Sequence, residues 1–268
     1  MRLIPKLLAL ASLITVPAIA ASGQSSVSAL SSDFRTRTSL DLDWKLARGL
    51  HLEAGYELRS EDNLGRLDRH QASVGLSYKI TDWMKAGASY TYIYHHRSSG
   101  PWTPRHRLSA DVTFAYKAGD WRFSLKEQLR LTHKTETLNP CQEVRNPLTL
   151  KSRLKVQYKG WKPLEPYAFI EARNIFNDPS FSATWSTTSQ AFADYQFGGY
   201  NDMYFNRFRG AVGLEWKVSK HSAFDIYAML DYCYDKDLDV DRTGTYLNKL
   251  SYNQAFNTIA GIGYKFSF

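Results

Sequence analysis

The chain has 268 residues, a formal net charge of +8, two cysteines and 14% aromatic residues. No stretch carries the roughly 20 apolar residues that a membrane helix needs, and the mean hydropathy is negative, so a helical membrane bundle is excluded. Cys141 and Cys233 allow one disulfide and no disulfide-built scaffold; the basic excess contains no Lys/Arg run with interleaved aromatics, so no nucleic-acid partner is expected.

Residues 1–20 read as a signal peptide. Arg2 and Lys6 supply a basic start, Leu7 to Val16 a short apolar run, and Ala18-Ile19-Ala20 a small-residue cleavage pattern. No cysteine follows the apolar run, so a lipoprotein anchor is not expected. Residues 21–33 form an N-terminal segment or a weak first strand, and 34–268 the main domain.

From Phe34 the pattern alternates with a period of two, the mark of a strand between two different environments. In 34–46, Leu40, Leu42, Trp44 and Leu46 share one face while Arg35, Arg37, Asp41, Asp43 and Lys45 share the other. LHLEAGYELR at 50–59 repeats this, and the pattern returns at 70–80, 84–94, 106–117, 121–132, 147–158, 164–173, 204–218, 222–234 and 256–268. Most segments exceed the usual globular strand of about 5–6 residues and match the ~9–11 of a tilted membrane strand. Connections alternate between short (47–49, 81–82, 118–120, 159–163, 219–221) and long (about 60–69, 95–105, 133–146, 174–203, 235–255). The longest, around 178–202, is aromatic and Ser/Thr/Gly-rich, and either extends a hairpin or folds inward as a plug.

Together these predict an all-β, transmembrane, antiparallel up-and-down barrel of about 12 strands, with 10 as second choice. Bacterial barrels normally have even strand counts, which favours a weak ascending strand over about 22–31; the alternative is a segment threading the lumen. Aromatics near the short turns include Trp44, Tyr78, Trp83, Tyr116, Trp121, Tyr158, Trp161 and Trp216. A second group near the long loops is read as Tyr56, Tyr92, Tyr94, Tyr167, Tyr204 and Tyr232. Two aromatic belts around an aliphatic band suit two lipid headgroup layers. The bilayer is therefore an expected partner, with the long loops extracellular and the N-terminus periplasmic. The charged face then lines a lumen, read either as a salt-bridged interior or as a narrow anion-preferring pore. Glu127 falls on the apolar face, and a bulge is expected to turn it inward.

Two constellations bear on chemistry. His96 and Ser98, in HHRSSG, resemble the outer-membrane phospholipase A arrangement, in which a histidine activates a serine. That resemblance implies calcium as a cofactor and an orienting asparagine. The facing segment 104–111 offers His106, Ser109 and Asp111 but no asparagine, and the residue after Ser98 is Ser99. His95, His96, His106 and His133 gather toward one rim without metal-ligand spacing, so no metal is assigned.

PRHRLSADVTFAY (104–116), LKSRLKVQYKGWKPLEPYAFIEARN (150–174) and the closing GIGYKFSF resemble a family of small outer-membrane barrels, common in Bacteroidetes-type bacteria, labelled domain of unknown function 2490. The resemblance implies fold and location, and no activity or functional residues. The last strand, ending on Phe268, also resembles the signal read by the barrel-assembly machinery, an expected partner. The expectation is a monomeric outer-membrane barrel without cofactor, non-enzymatic: a structural or loop-display protein or a narrow anion-preferring pore. The alternative is a lipid ester hydrolase using His96 and Ser98, with calcium only in that case.

Overall fold

The structure is a computed structural model and describes residues 26–27, 29–96 and 100–268. The signal peptide read over 1–20, and Ser98, lie outside the described residues. A two-residue β1 (Ser26–Val27) precedes eleven long strands: β2 (Ser31–Ala47), β3 (Leu50–Glu61), β4 (Arg66–Lys79), β5 (Met84–His95), β6 (Thr103–Ala118), β7 (Trp121–Lys134), β8 (Leu148–Tyr158), β9 (Leu164–Ser186), β10 (Ala191–Lys217), β11 (Ser222–Val240) and β12 (Leu247–Ser267). Each of the eleven pairs antiparallel with its chain neighbours, and β12 closes on β2.

The closing pair is parallel, from Ala255–Ser31 to Ser267–Asp43. The ascending strand expected over 22–31 is not formed by its described residues: Ser26–Val27 pair in parallel with Ser251–Tyr252 and run the same way as β2. An odd count of eleven therefore closes without a twelfth partner. A parallel ladder satisfies backbone donors and acceptors as an antiparallel one does, and closure is what removes the sheet edges. Phe268 completes the seam. Its amide donates to the Asp43 carbonyl at 2.9 Å, and its ring stacks on Trp44 with centroids 4.8 Å apart.

The two faces are sorted as the alternation predicts, and opposite to a soluble protein. Ile170 and Val212 are each 64% exposed, whereas Glu165 and Asp231 are only 1% and 2% exposed. Apolar side chains point away from the axis and charged ones toward it. The closed barrel with this outward apolar band fits a membrane β-barrel.

At the short-turn end, Trp83, Tyr116 and Trp161 are strongly exposed, as that belt requires. Two members of the opposite belt are corrected. Tyr167 is in phase with Glu165 and Glu171, so it points into the lumen, where its hydroxyl donates to Asp225 at 2.6 Å. A Cβ at Gly213 would lie 2.5 Å from the Tyr167 ring, so this glycine makes room for it. Tyr204 sits under Lys236, whose amide donates to its hydroxyl at 3.3 Å. Glu127 is also corrected. Neither β6–β7 nor β7–β8 has a register shift, so no bulge turns it. It stays on the outward face and accepts a 2.5 Å hydrogen bond from Ser152.

Much of the sequence between 174 and 203 and between 235 and 255 is strand. β9 and β10 run for 23 and 27 residues and meet in a turn at 187–190, so the longest expected loop is an extended hairpin. Successive register shifts between Ala193 and Arg207 bend it. It then packs on the prolonged β11–β12 hairpin around Tyr195, Leu238, Val240, Leu247 and Leu250, with Phe181 and Phe192 at the edge. Lys236 pins the bend: its Nζ lies 2.5 Å from Asp202, 3.1 Å from Asp178 and 2.6 Å from the Pro179 carbonyl. The β7–β8 loop joins this head through Asn139 to the Val240 carbonyl and through Tyr200 to the Pro140 carbonyl.

Candidate functional site: the charged lumen

Alternation on eleven strands delivers every second side chain to the axis, and the sequence places Arg, Lys, Asp and Glu there. Glu171 of β9 receives Arg153 at 2.5 Å, Lys151 at 3.2 Å and Arg209 at 2.9 Å. Arg209 continues to Asp231 at 3.0 Å, and Asp231 also faces Arg207 at 3.4 Å. One guanidinium thus bridges two nearly inaccessible carboxylates. Charges removed from water require such partners, because burying either member alone is costly.

Toward the short-turn end the same wall becomes layered. Tyr167, Phe169, Ala211, Met229 and Ile259 form an apolar cluster inside the lumen. Arg153 lies 4.2 Å above the Phe169 ring and Lys155 3.8 Å above the Tyr167 ring, so the cations pack on aromatic faces. Below, Glu165 holds Lys217 at 2.5 Å and Lys159 at 3.3 Å, and Asp225 holds Lys265 at 2.9 Å. The β3–β7 wall is wetter: the Lys85–Glu53 pair, at 2.7 Å, keeps more than two-fifths of each side chain exposed.

The balance of charge is uneven. Among the described residues, Arg37, Arg107 and Arg130 have no carboxylate within ion-pair distance; Arg107 and Arg130 instead donate to Thr132 and Gln128. The inward phase of these arginines is legible in the sequence. Their lack of acidic partners is not, because it depends on which strands face one another across the bore.

The rim residues separate onto different faces. His95 points inward, 3.4 Å from Asp68. His106 and His133 point outward, where His106 Nδ1 meets the Tyr90 hydroxyl at 2.7 Å and His133 Nδ1 meets Asn146 at 2.8 Å. The four histidines read toward one rim therefore do not form one cluster. His96 packs against Trp102 with centroids 5.0 Å apart, and its Nδ1 has no hydrogen-bond partner among the described residues. Ser109 and Asp111 share the inward face of β6, opposite to His106, so the facing segment does not present all three residues on one side. Nothing in this geometry adds to the hydrolase alternative. Cys141 and Cys233 are free thiols; Cys233 is buried and accepts from Arg207 Nε at 3.1 Å.

A family model described as "Protein of unknown function (DUF2490)" matches residues 34–241, from β2 to just past the end of β11. No curated protein matches the chain.

Proposed function

This chain belongs to the DUF2490 family, whose description names no activity, and we propose that it is a non-enzymatic outer-membrane barrel that displays a folded hairpin head outside the cell. The observation that carries this reading is the head itself. Two long hairpins converge on a core of their own, with Leu238, Val240, Leu247 and Leu250 each at most 6% exposed. A loop that merely connects strands does not need such a core; a surface meant to keep its shape does. The expected short-turn and long-loop ends support a periplasmic turn side and an extracellular head, and the ion-paired lumen supports a monomer that needs no partner to fill it.

The test is labelling from outside. A cysteine introduced at Thr188, in a C141A/C233A background, is expected to react with a membrane-impermeant maleimide on intact cells. One at Lys220, in a short turn, is expected to react only after the membrane is opened. The reverse order would overturn the orientation, and recovery of the protein from the soluble fraction would overturn the membrane reading.

A second reading, the narrow anion-preferring pore, is favoured by the unpaired Arg37, Arg107 and Arg130. Planar-bilayer recording separates the two. Display alone predicts no stepwise current; steady channels with an anion-selective reversal potential, lost on R107E/R130E, would favour the pore.

A further inference from the structure

A small void of about 30 Å³ lies inside the barrel where residues of β2–β4 meet those of β10–β12 across the bore. It is lined by Arg35, Arg37, Arg59, Arg69 and Arg207 together with two carboxylates, Asp68 and Asp231. Five guanidiniums around one space need counter-charge, and four already have it. Arg35 pairs with Asp33 at 2.6 Å, Arg59 with Glu57 at 2.5 Å, Arg69 with Asp68 at 2.7 Å, and Arg207 with Asp231 at 3.4 Å.

Arg37 has none. It stands directly opposite Arg59 in the β2–β3 register, and among the described residues it makes no hydrogen bond and no ion pair. The like charge beside it disfavours a bare cation. Of the two carboxylates in the lining, Asp231 is shared with Arg209 at 3.0 Å and Asp68 with Arg69 at 2.7 Å, so both are already engaged. The wall thus leaves one guanidinium without a contact partner and its five planar donors unused, beside a space the size of two or three waters at about 10–15 Å³ each.

We propose that this void is a binding site for a small inorganic monoanion of the halide class, held chiefly by the Arg37 guanidinium and seated among the paired arginines. The volume rejects substituted carboxylates and phosphate esters. The charge rejects cations. The two carboxylates in the lining, Asp68 and Asp231, are held by Arg69 and by Arg207 and Arg209, so the five guanidiniums still give the space a positive surround. The site requires the barrel to be closed, because its lining comes from both sides of the β12–β2 seam; it does not require the head to be displayed.

The test uses the refolded, full-length mature barrel. Crystals soaked in bromide are expected to show an anomalous peak beside Arg37, and bromide is expected to raise the midpoint of heat-induced unfolding over gluconate at equal ionic strength. R37M is expected to lose both. R37K, which keeps the charge, is expected to retain the peak at reduced height. Absence of an anomalous peak in the wild type overturns the proposal, as does a peak of equal height in R37M. Should R37M fail to fold, the wild-type peak and the bromide-over-gluconate shift decide the matter by themselves.

Discussion

The lower and upper halves of β11 carry the same phase of apolar side chains and meet different surroundings. Ile226 and Leu230 are 46% and 50% exposed, whereas Leu238 and Val240, in phase with them on the same strand, are 6% and 3% exposed. Below, the outward face meets acyl chains on the membrane reading. Above, the same face is covered by the folded-back β9–β10 hairpin. On that reading a single alternating pattern serves two apolar solvents, lipid and protein, and the change occurs near Lys236. A charged side chain at that point is tolerated because Asp178 and Asp202 lie under the bent hairpin to receive it.

The strongest way to break this comparison is at the boundary. K236M leaves two part-buried carboxylates without their cation, and loss of one member of such a pair costs about 3–5 kcal/mol. The head is expected to open to protease while the barrel keeps its heat-modifiable migration; loss of both together would mean that the halves are not separable. Next comes the head core. L250A removes a side chain 2% exposed, and a truncation of this kind costs about 2–5 kcal/mol. Cleavage within 178–202 is expected to accelerate, with unchanged insertion into vesicles.

The converse substitution sharpens the contrast from below. I226R is expected to weaken folding into lipid vesicles by about 2–4 kcal/mol in a urea titration, as for arginine near a bilayer midplane, while detergent-solubilised protein keeps its head intact. An equal effect in both media would argue against lipid contact at Ile226.

The smallest effect concerns pH at the tip of the head. Asp241 is held well below the usual carboxylate range, first by the Thr243 hydroxyl and then by the amides of Tyr246 and Thr245. A depressed folded value means that the turn is favoured above the ordinary Asp value of about 3.9 and loses that support progressively as pH falls from there through the lower folded value. Amide exchange at Thr245 and Tyr246, corrected for intrinsic rates, is expected to stay constant from neutrality to about pH 4 and to accelerate below it.

The barrel was legible because its rule is local. Phase along each strand, short turns on one side and aromatics beside those turns follow from neighbours in the chain, and the strand faces agree with them at Leu40, Arg59, Ile170 and Asp231. Three features were not legible. The parallel seam depends on two strands at opposite ends of the sequence. The head depends on a bend at successive register shifts, which no periodicity announces, so 178–202 reads as loop or plug until the hairpin is seen. Glu127 breaks the pattern without a bulge, because Ser152 on the adjacent strand satisfies it from the same face. In the lumen, the sequence marks Arg37 as inward; that Arg35, Arg59, Arg69 and Arg207 share one space with it is a property of the closed cylinder alone.

The parallel seam carries a kinetic consequence. Every antiparallel ladder can zip from the connection beside it, but β2 and β12 share none, so their pairing awaits the delivery of β12 and must repay the largest loop-closure entropy among the eleven long strands. Its slanted bonds are also slightly weaker per residue than those of the antiparallel pairs. The join that makes the cylinder is accordingly the last to form and the first to breathe, and deuterium is expected to enter β2 and β12 along their shared edge before it enters the opposite wall.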